Sequence, residues 1–213
     1  MGLSLSRIVL ILALVILVVI ASILFYFYSG TALDQAGAVL EINYYVIDDP
    51  QTISVAREFI KSQQPLPAPL EREQGQIVDW NKTEVVVLKI TVKLTNNGYK
   101  PIYYVTNAFC GVTYTGKEQN TSFKPIMWTV KNPVGLPRIR AEKGQVFPIP
   151  IACTLDLRYA KLLPGTSVSQ QYYYIVTKPF KGIVKAAAEI CSEPLSNNCK
   201  IIEKTTYITI NSS

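Results

Sequence analysis

Residues 8–28 run for 21 positions without a charged residue, a glycine or a proline, and no second run of this kind follows in the 213-residue chain. As an α-helix rising ~1.5 Å per residue, the run would be about 31 Å long, which matches the hydrocarbon thickness of a bilayer. It predicts a single transmembrane helix and decides on which side of a membrane everything else resides. Arg7 and the α-amino group are the cations ahead of it, so the short N-terminus is expected to stay in the cytoplasm while residues 30–213 face outward. Phe25, Tyr26, Phe27 and Tyr28 close the run with rings suited to the outer interface. Ile8, Leu12, Val15, Val19, Ile23 and Tyr28 are the positions through which such a helix would meet its surroundings, and an all-apolar helix suits either lipid or identical neighbours. A cleaved secretory signal is the competing reading, because residues 30–32 and 36–38 place small side chains where a peptidase cuts. The run nevertheless exceeds the ~7–15 apolar residues usual for such a signal.

The rest of the chain narrows its chemistry by omission. There is no histidine, which removes Ser/His and Cys/His nucleophile pairs, histidine zinc sites and blue-copper sites together. Among carboxylates, Asp48 adjoins Asp49, and Glu71 and Glu73 flank Arg72, but neighbours on an extended chain point to opposite faces and make no acid/base pair. Asp48 and Asp49 could offer calcium clustered oxygens, yet no D-x-[DN]-x-[DN]-G loop surrounds them. No residue set qualifies as catalytic, cofactor-binding or metal-ligating, and an enzyme is not expected. The net charge of +6 is spread over single Lys and Arg residues, so no nucleic-acid partner is expected.

Four cysteines in an outward segment predict disulfides. Cys191 and Cys199 bracket a short loop and would tie two neighbouring strands, which leaves Cys110 to pair with Cys153. No C-x-x-C spacing supports a thiolate metal site. Asn81, Asn120 and Asn211 each open an N-x-[ST] acceptor sequence, expected on solvent-facing loops and a free C-terminal tail.

From residue 38 onward the pattern is that of strands. Val86, Leu88, Ile90, Val92 and Leu94 alternate with Val87, Lys89, Thr91, Lys93 and Thr95, which predicts one core face and one wet face. Asn96, Asn97 and Gly98 then form a turn that leads into an extended run over 102–106, a predicted hairpin. Further strands are expected over 38–47, 109–114, 126–130, 145–155, 168–176, 182–190 and 200–210. Pro148 and Pro150 restrict theirs to an edge or a bulge. Ile53, Ala56 and Ile60 recur at helical spacing, predicting a short surface helix over 52–61, and Pro65, Pro67 and Pro69 mark an extended connector over 63–70. Paired tyrosines at 44–45, 103–104 and 172–174 suit either cross-strand packing or exposed contact surfaces for a glycan or protein. The fold class is thus mainly β, an antiparallel sandwich behind one hydrophobic helix that spans a membrane or forms a filament core. The domains are the helix at 1–30 and an extracellular sandwich at 31–213. Whether strand 38–47 pairs inside its own sandwich or completes a neighbour's sheet stays open.

Two family resemblances add expectations. The stretch 92–102, Val-Lys-Leu-Thr-Asn-Asn-Gly-Tyr-Lys-Pro-Ile, the turn 163–167, Leu-Pro-Gly-Thr-Ser, and the strand 182–188, Gly-Ile-Val-Lys-Ala-Ala-Ala, resemble landmarks of immunoglobulin-like extracellular modules. Gly2-Leu-Ser-Leu-Ser-Arg-Ile-Val, followed by an apolar helix and a β portion, resembles the plan of archaeal type IV pilins and archaellins. Here only Met1 precedes Gly2, whereas that family usually carries Lys or Arg before the processed glycine. This second resemblance implies a non-enzymatic structural subunit of a cell-surface filament, a homo-oligomer assembled through its N-terminal helix and membrane-inserted before assembly. The alternative is a single-pass anchored ectodomain that binds a surface-layer protein or glycan, or serves as an accessory subunit of a membrane complex.

Overall fold

The strand with the clearest alternation also organises the molecule. The computed structural model describes residues 15–22, 37–63, 78–112, 129–149, 151–195 and 198–212. In it β1 (Ala38–Ile47) and β9 (Ser167–Thr177) pair antiparallel with the two edges of β2 (Val85–Asn96). A second antiparallel sheet runs β11 (Cys199–Ile210), β10 (Phe180–Cys191), β3 (Ile102–Asn107), β8 (Leu157–Leu162), with β6 (Arg138–Lys143) also on β10. A small third sheet joins β5 (Thr129–Lys131), β4 (Phe109–Val112) and β7 (Ile151–Cys153). The fold is mainly β and antiparallel, as expected. Helix α1 covers residues 15–22 and α2 covers Pro50–Ser62. Among the described residues no helix is long and apolar enough to cross a membrane. The predicted helix at 1–30 is thus seen only over 15–22, and its remaining positions lie outside the described residues.

One core joins the first two sheets. Leu88, Ile90, Val92 and Leu94 of β2 meet Leu40 and Ile42 of β1 and Tyr172 and Tyr174 of β9, and share the cluster with Ile102, Val184, Ala186, Ile190 and Ile208 of the second sheet. A second core explains why the expected wet face of β2 is dry at its start. Val85 and Val87 are buried beneath α2, whose Ala56, Phe59 and Ile60 pack with Trp80, Phe147 and Ile175. The rings of Trp80 and Phe147 stand edge to face at 5.1 Å. Helix α2 is therefore a covering layer rather than a surface ornament. Asp49 starts it, its Oδ1 accepting from Thr52 N at 2.9 Å, with Pro50 in the first turn.

The predicted hairpin between β2 and β3 is not formed, since the two strands belong to different sheets. Both edges of β2 are already taken by β1 and β9, so the chain must leave the sheet after Asn96. That residue is fully buried and fixes the departure. Its Nδ2 donates to the carbonyls of Lys100 at 2.8 Å and Leu162 at 3.1 Å, and its Oδ1 accepts from Gly98 N at 2.9 Å. Strand 145–155 is also corrected: only Ile151–Cys153 is a strand, while Val146 makes a single bridge to Val176. Pro148 and Pro150 supply no amide donors there, which limits the ladder.

Between the sheets runs a segment, 131–137, whose carbonyls are bonded by side chains. Gln170 Nε2 donates to Lys131 O and Asn132 O, Thr106 Oγ1 to Pro133 O at 2.7 Å, Tyr172 to Val134 O at 2.8 Å and Tyr174 to Pro137 O at 2.6 Å. Gln170, Tyr172 and Tyr174 alternate along β9 and so share its inward face.

Candidate functional site

The sequence-derived positions fall into three groups. Those read as structural are brought together: Cys110 bonds Cys153 across β4 and β7, and Cys191 bonds Cys199 across the β10–β11 hairpin, leaving no free thiol among the described cysteines. Glu189 lies beside Cys191 and Cys199 within 4.8 Å, but both sulfurs are already joined to each other. Asp49 is occupied as the cap of α2, and this bond to Thr52 holds its carboxyl below the usual carboxylate range. Glu71, Glu73 and the connector beyond Gln63 lie outside the described residues.

The tyrosines divide by face. Tyr172, Tyr174 and Tyr104 point into the core, where burial pushes all three phenols upward. Tyr44 and Tyr45 on β1 are exposed, and Tyr173 is half-buried with its hydroxyl on Gln171 Oε1 at 3.1 Å. Asn81 sits exposed on a turn whose carbonyl accepts from Arg57, and Asn211 is exposed just past β11. Asn120 lies outside the described residues. Of the helix positions, Val15 and Val19 are exposed at 55% and 51%, while Ile8, Leu12, Ile23 and Tyr28 lie outside.

A further cluster was not anticipated. Four segments meet at the end of the β portion where the chain arrives from its apolar run. Ala38 pairs with Asn96 and Gly37 O accepts from Asn97 N at 2.8 Å, so residue 37 abuts the β2–β3 turn. The β8–β9 turn joins it, with Gly165 N donating to Asn96 O at 2.8 Å and Asn96 N to Thr166 O at 3.0 Å. Cys191 pairs with Tyr103, which carries the β10–β11 tip to the same end. Each turn exposes a large apolar or aromatic residue: Tyr99 at 92%, Leu163 at 51% and Leu195 at 82%. Leu163 opens a Pro-Gly turn closed by Thr166 N onto its carbonyl, with Gly165 at φ 69° as such a turn requires. Leu195 is held at φ 61°, a left-handed conformation that glycine or asparagine adopts at lower cost. Lys100, Lys161 and Lys200 lie in or beside these tips, with Glu189 and Glu193 as the carboxylates there among the described residues. The signal was available in the sequence, as one large apolar residue set among Gly, Pro and Asn in each of three turns, but turn formers draw attention to backbone geometry instead.

No protein-family model matches the chain, and no curated protein matches it. Two of the solved structures that match it align with most of the chain. The Northeast Structural Genomics Consortium target SoR45 is 13% identical, covering 83% of this chain and 89% of its own with a TM-score of 0.37. The putative ApaA protein from Bordetella pertussis is 10% identical, covering 82% of this chain and 94% of its own with a TM-score of 0.34.

Proposed function

We propose that the protein is an outward-facing, non-enzymatic β module held at the cell surface by its N-terminal apolar segment. The observation that carries this reading is the bareness of α1. Val15, Ile16, Leu17, Val18, Val19 and Ile20 are successive helical residues, each between 51% and 68% exposed. The described remainder of the chain leaves every face of this helix uncovered, so an apolar environment must be supplied from outside it. Lipid supplies one if residues 8–28 span a bilayer. Two disulfides suit the oxidising exterior in which the β portion would then stand. Sheets that share one core support an immunoglobulin-like sandwich as its architecture, and exposed Tyr44 and Tyr45 would offer a glycan or surface-layer contact.

A second reading uses the same observation. Identical helices could cover α1 instead of lipid, which would make the protein a pilin-like filament subunit that is membrane-inserted only before assembly. Fractionation of cells separates the two. Full-length chain that stays with membranes through alkaline extraction, with none in sheared surface material, is the outcome expected for the anchor. Filaments of the chain in the sheared fraction, with an N-terminus beginning at Leu3, would replace it with the filament reading. Recovery only as a soluble species would sink both.

A further inference from the structure

We infer that the end of the β portion formed by the β2–β3, β8–β9 and β10–β11 turns is a lipid-contacting surface, with Tyr99, Leu163 and Leu195 seated among the headgroups of an anionic bilayer. This rests on the anchor reading above and adds to it a second point of membrane contact. Single exposed apolar residues on a surface are ordinary. Three of them on three separate turns are informative because of where they converge. Gly37 bonds the first of these turns through Asn97. Only the eight residues 29–36 separate Gly37 from the end of the apolar run. The nine steps from Tyr28 to Gly37 reach at most about 32 Å when fully extended. If residues 8–28 span the bilayer, the β2–β3 turn that bonds Gly37 cannot stand farther from its surface than that leash permits, and the β8–β9 turn is bonded to it through Asn96.

The residue types fit that position. Tyrosine favours the interface, where its ring is buried and its hydroxyl stays wet. Lys100, Lys161 and Lys200 outnumber Glu189 and Glu193 at this end by one, and lysines near a membrane keep their ammonium groups among anionic headgroups while their stems lie along apolar surface. Leu195 adds a separate clue, since an exposed leucine at φ 61° gives the folded chain nothing that asparagine would not provide with less strain. A leucine that enters lipid does gain there. Leu155 provides the contrast. It is 98% exposed but lies beyond the far end of β3, where Asn107 Nδ2 donates to Thr154 O at 2.6 Å. Asn107 is five strand residues from Ile102, about 17 Å away.

The test uses the full-length chain reconstituted into vesicles of phosphatidylcholine and phosphatidylglycerol, with or without bromine on the acyl chains close to the headgroup. Tryptophan is introduced as Tyr99→Trp, and separately as Leu155→Trp, and the emission of the unsubstituted chain is subtracted. Bromolipid should quench the tryptophan at 99 about twofold or more beyond that at 155, because interfacial rings sit at headgroup depth. Leu195→Asn combined with Tyr99→Trp should lose much of that excess. The substitution relaxes the backbone, so loss of quenching with an unchanged melting temperature reports lost lipid contact and not misfolding. Alkaline extraction of the same vesicles separates failure of this surface from failure of the anchor. A chain that resists extraction but shows equal quenching at 99 and 155 overturns the lipid-contacting surface and leaves the anchor standing. A chain that is extracted overturns the anchor, and this surface with it.

Discussion

Removing one oxygen tests whether the segment between the sheets is held by side chains from β9. Tyr172 is fully buried and its hydroxyl donates to Val134 O at 2.8 Å, while Val134 N donates to Gln170 Oε1 at 2.7 Å. Tyr172→Phe keeps the ring and its packing but leaves the Val134 carbonyl without that donor in a dry interior. A buried acceptor left unsatisfied costs about 1–3 kcal/mol. For a chain of this size each kcal/mol lowers the melting temperature by roughly 2–4 °C, so a fall of about 2–12 °C is expected. Tyr173→Phe is the matched control. Its hydroxyl bonds Gln171 on the outer face, where such changes usually stay within about 0.5 kcal/mol. Tyr174→Phe should resemble Tyr172→Phe, because its hydroxyl donates to Pro137 O at 2.6 Å in the same segment. The double variant should lose less than the sum of the two, since once the segment loosens the second bond is no longer held. Thermal melts of the full-length chain in detergent, followed by near-ultraviolet dichroism, give all four values. If Tyr172→Phe melts with Tyr173→Phe, the carbonyl seam does not hold the sheets and the account of this core is wrong.

The two disulfides should differ in worth, because they close loops of 43 and 8 residues in sequence separation. Chain entropy predicts losses of about 4 kcal/mol for Cys110→Ala with Cys153→Ala and about 2.5 kcal/mol for Cys191→Ala with Cys199→Ala. Denaturant midpoints that rank the pairs in reverse would refute this ordering. Asp49→Ala should destabilise the chain at neutral pH by removing the cap of α2. Since the folded carboxyl titrates below its ordinary value, that contribution is present above the unfolded pKa and is lost as pH falls through the folded one, so wild type and variant should converge in acid melts. At the other extreme, Tyr104, Tyr172 and Tyr174 have raised phenol pKa values, so their protonated forms favour the fold fully below the unfolded value of about 10. That stability is lost as pH rises towards their folded values. Phenolate absorbance should then show these three ionising together with unfolding, and their ionisation while the fold persists would contradict their burial.

What the sequence revealed depended on how strongly each element stated its own period. β1 was legible over its full length because Leu40 and Ile42 alternate with exposed residues, and α2 because Ala56 and Ile60 repeat at helical spacing. β6 and β8 escaped for the opposite reason. β6 carries Arg138, Arg140, Glu142 and Lys143 around two partly buried residues, and β8 buries only Leu162. Such strands form because a neighbour offers them an edge, and that information lies in β10 and β3. The Asn96 turn misled in the same way. Its composition suits a hairpin, but strand pairing is competitive, and the more distant β1 and β9 had taken both edges of β2. The cluster of the β2–β3 and β8–β9 turns shows a further limit, since their meeting depends on bonds from Asn96 to residues 66 and 70 positions away.

The arrangement of edges bears on how copies of this chain can associate. β1 pairs along its whole length with β2 and β11 with β10, so among the described residues each presents its other edge unpaired, and the two lie near one another. β1 therefore completes its own sheet. Open edges of this length invite strand addition unless charge discourages it. Here Lys200, Glu203 and Lys204 stand exposed along β11, with Glu203 ion-paired to Lys185 at 2.7 Å, and Glu41 on β1 meets Lys93 at 3.5 Å. Adding another copy's strand would bring these charges against their counterparts and displace their water. The bare apolar helix carries no such deterrent over residues 15–22, where Val15 through Ile20 are exposed without a charge. Among the described residues, association between copies is therefore less discouraged at α1 than along the open edges of β1 and β11.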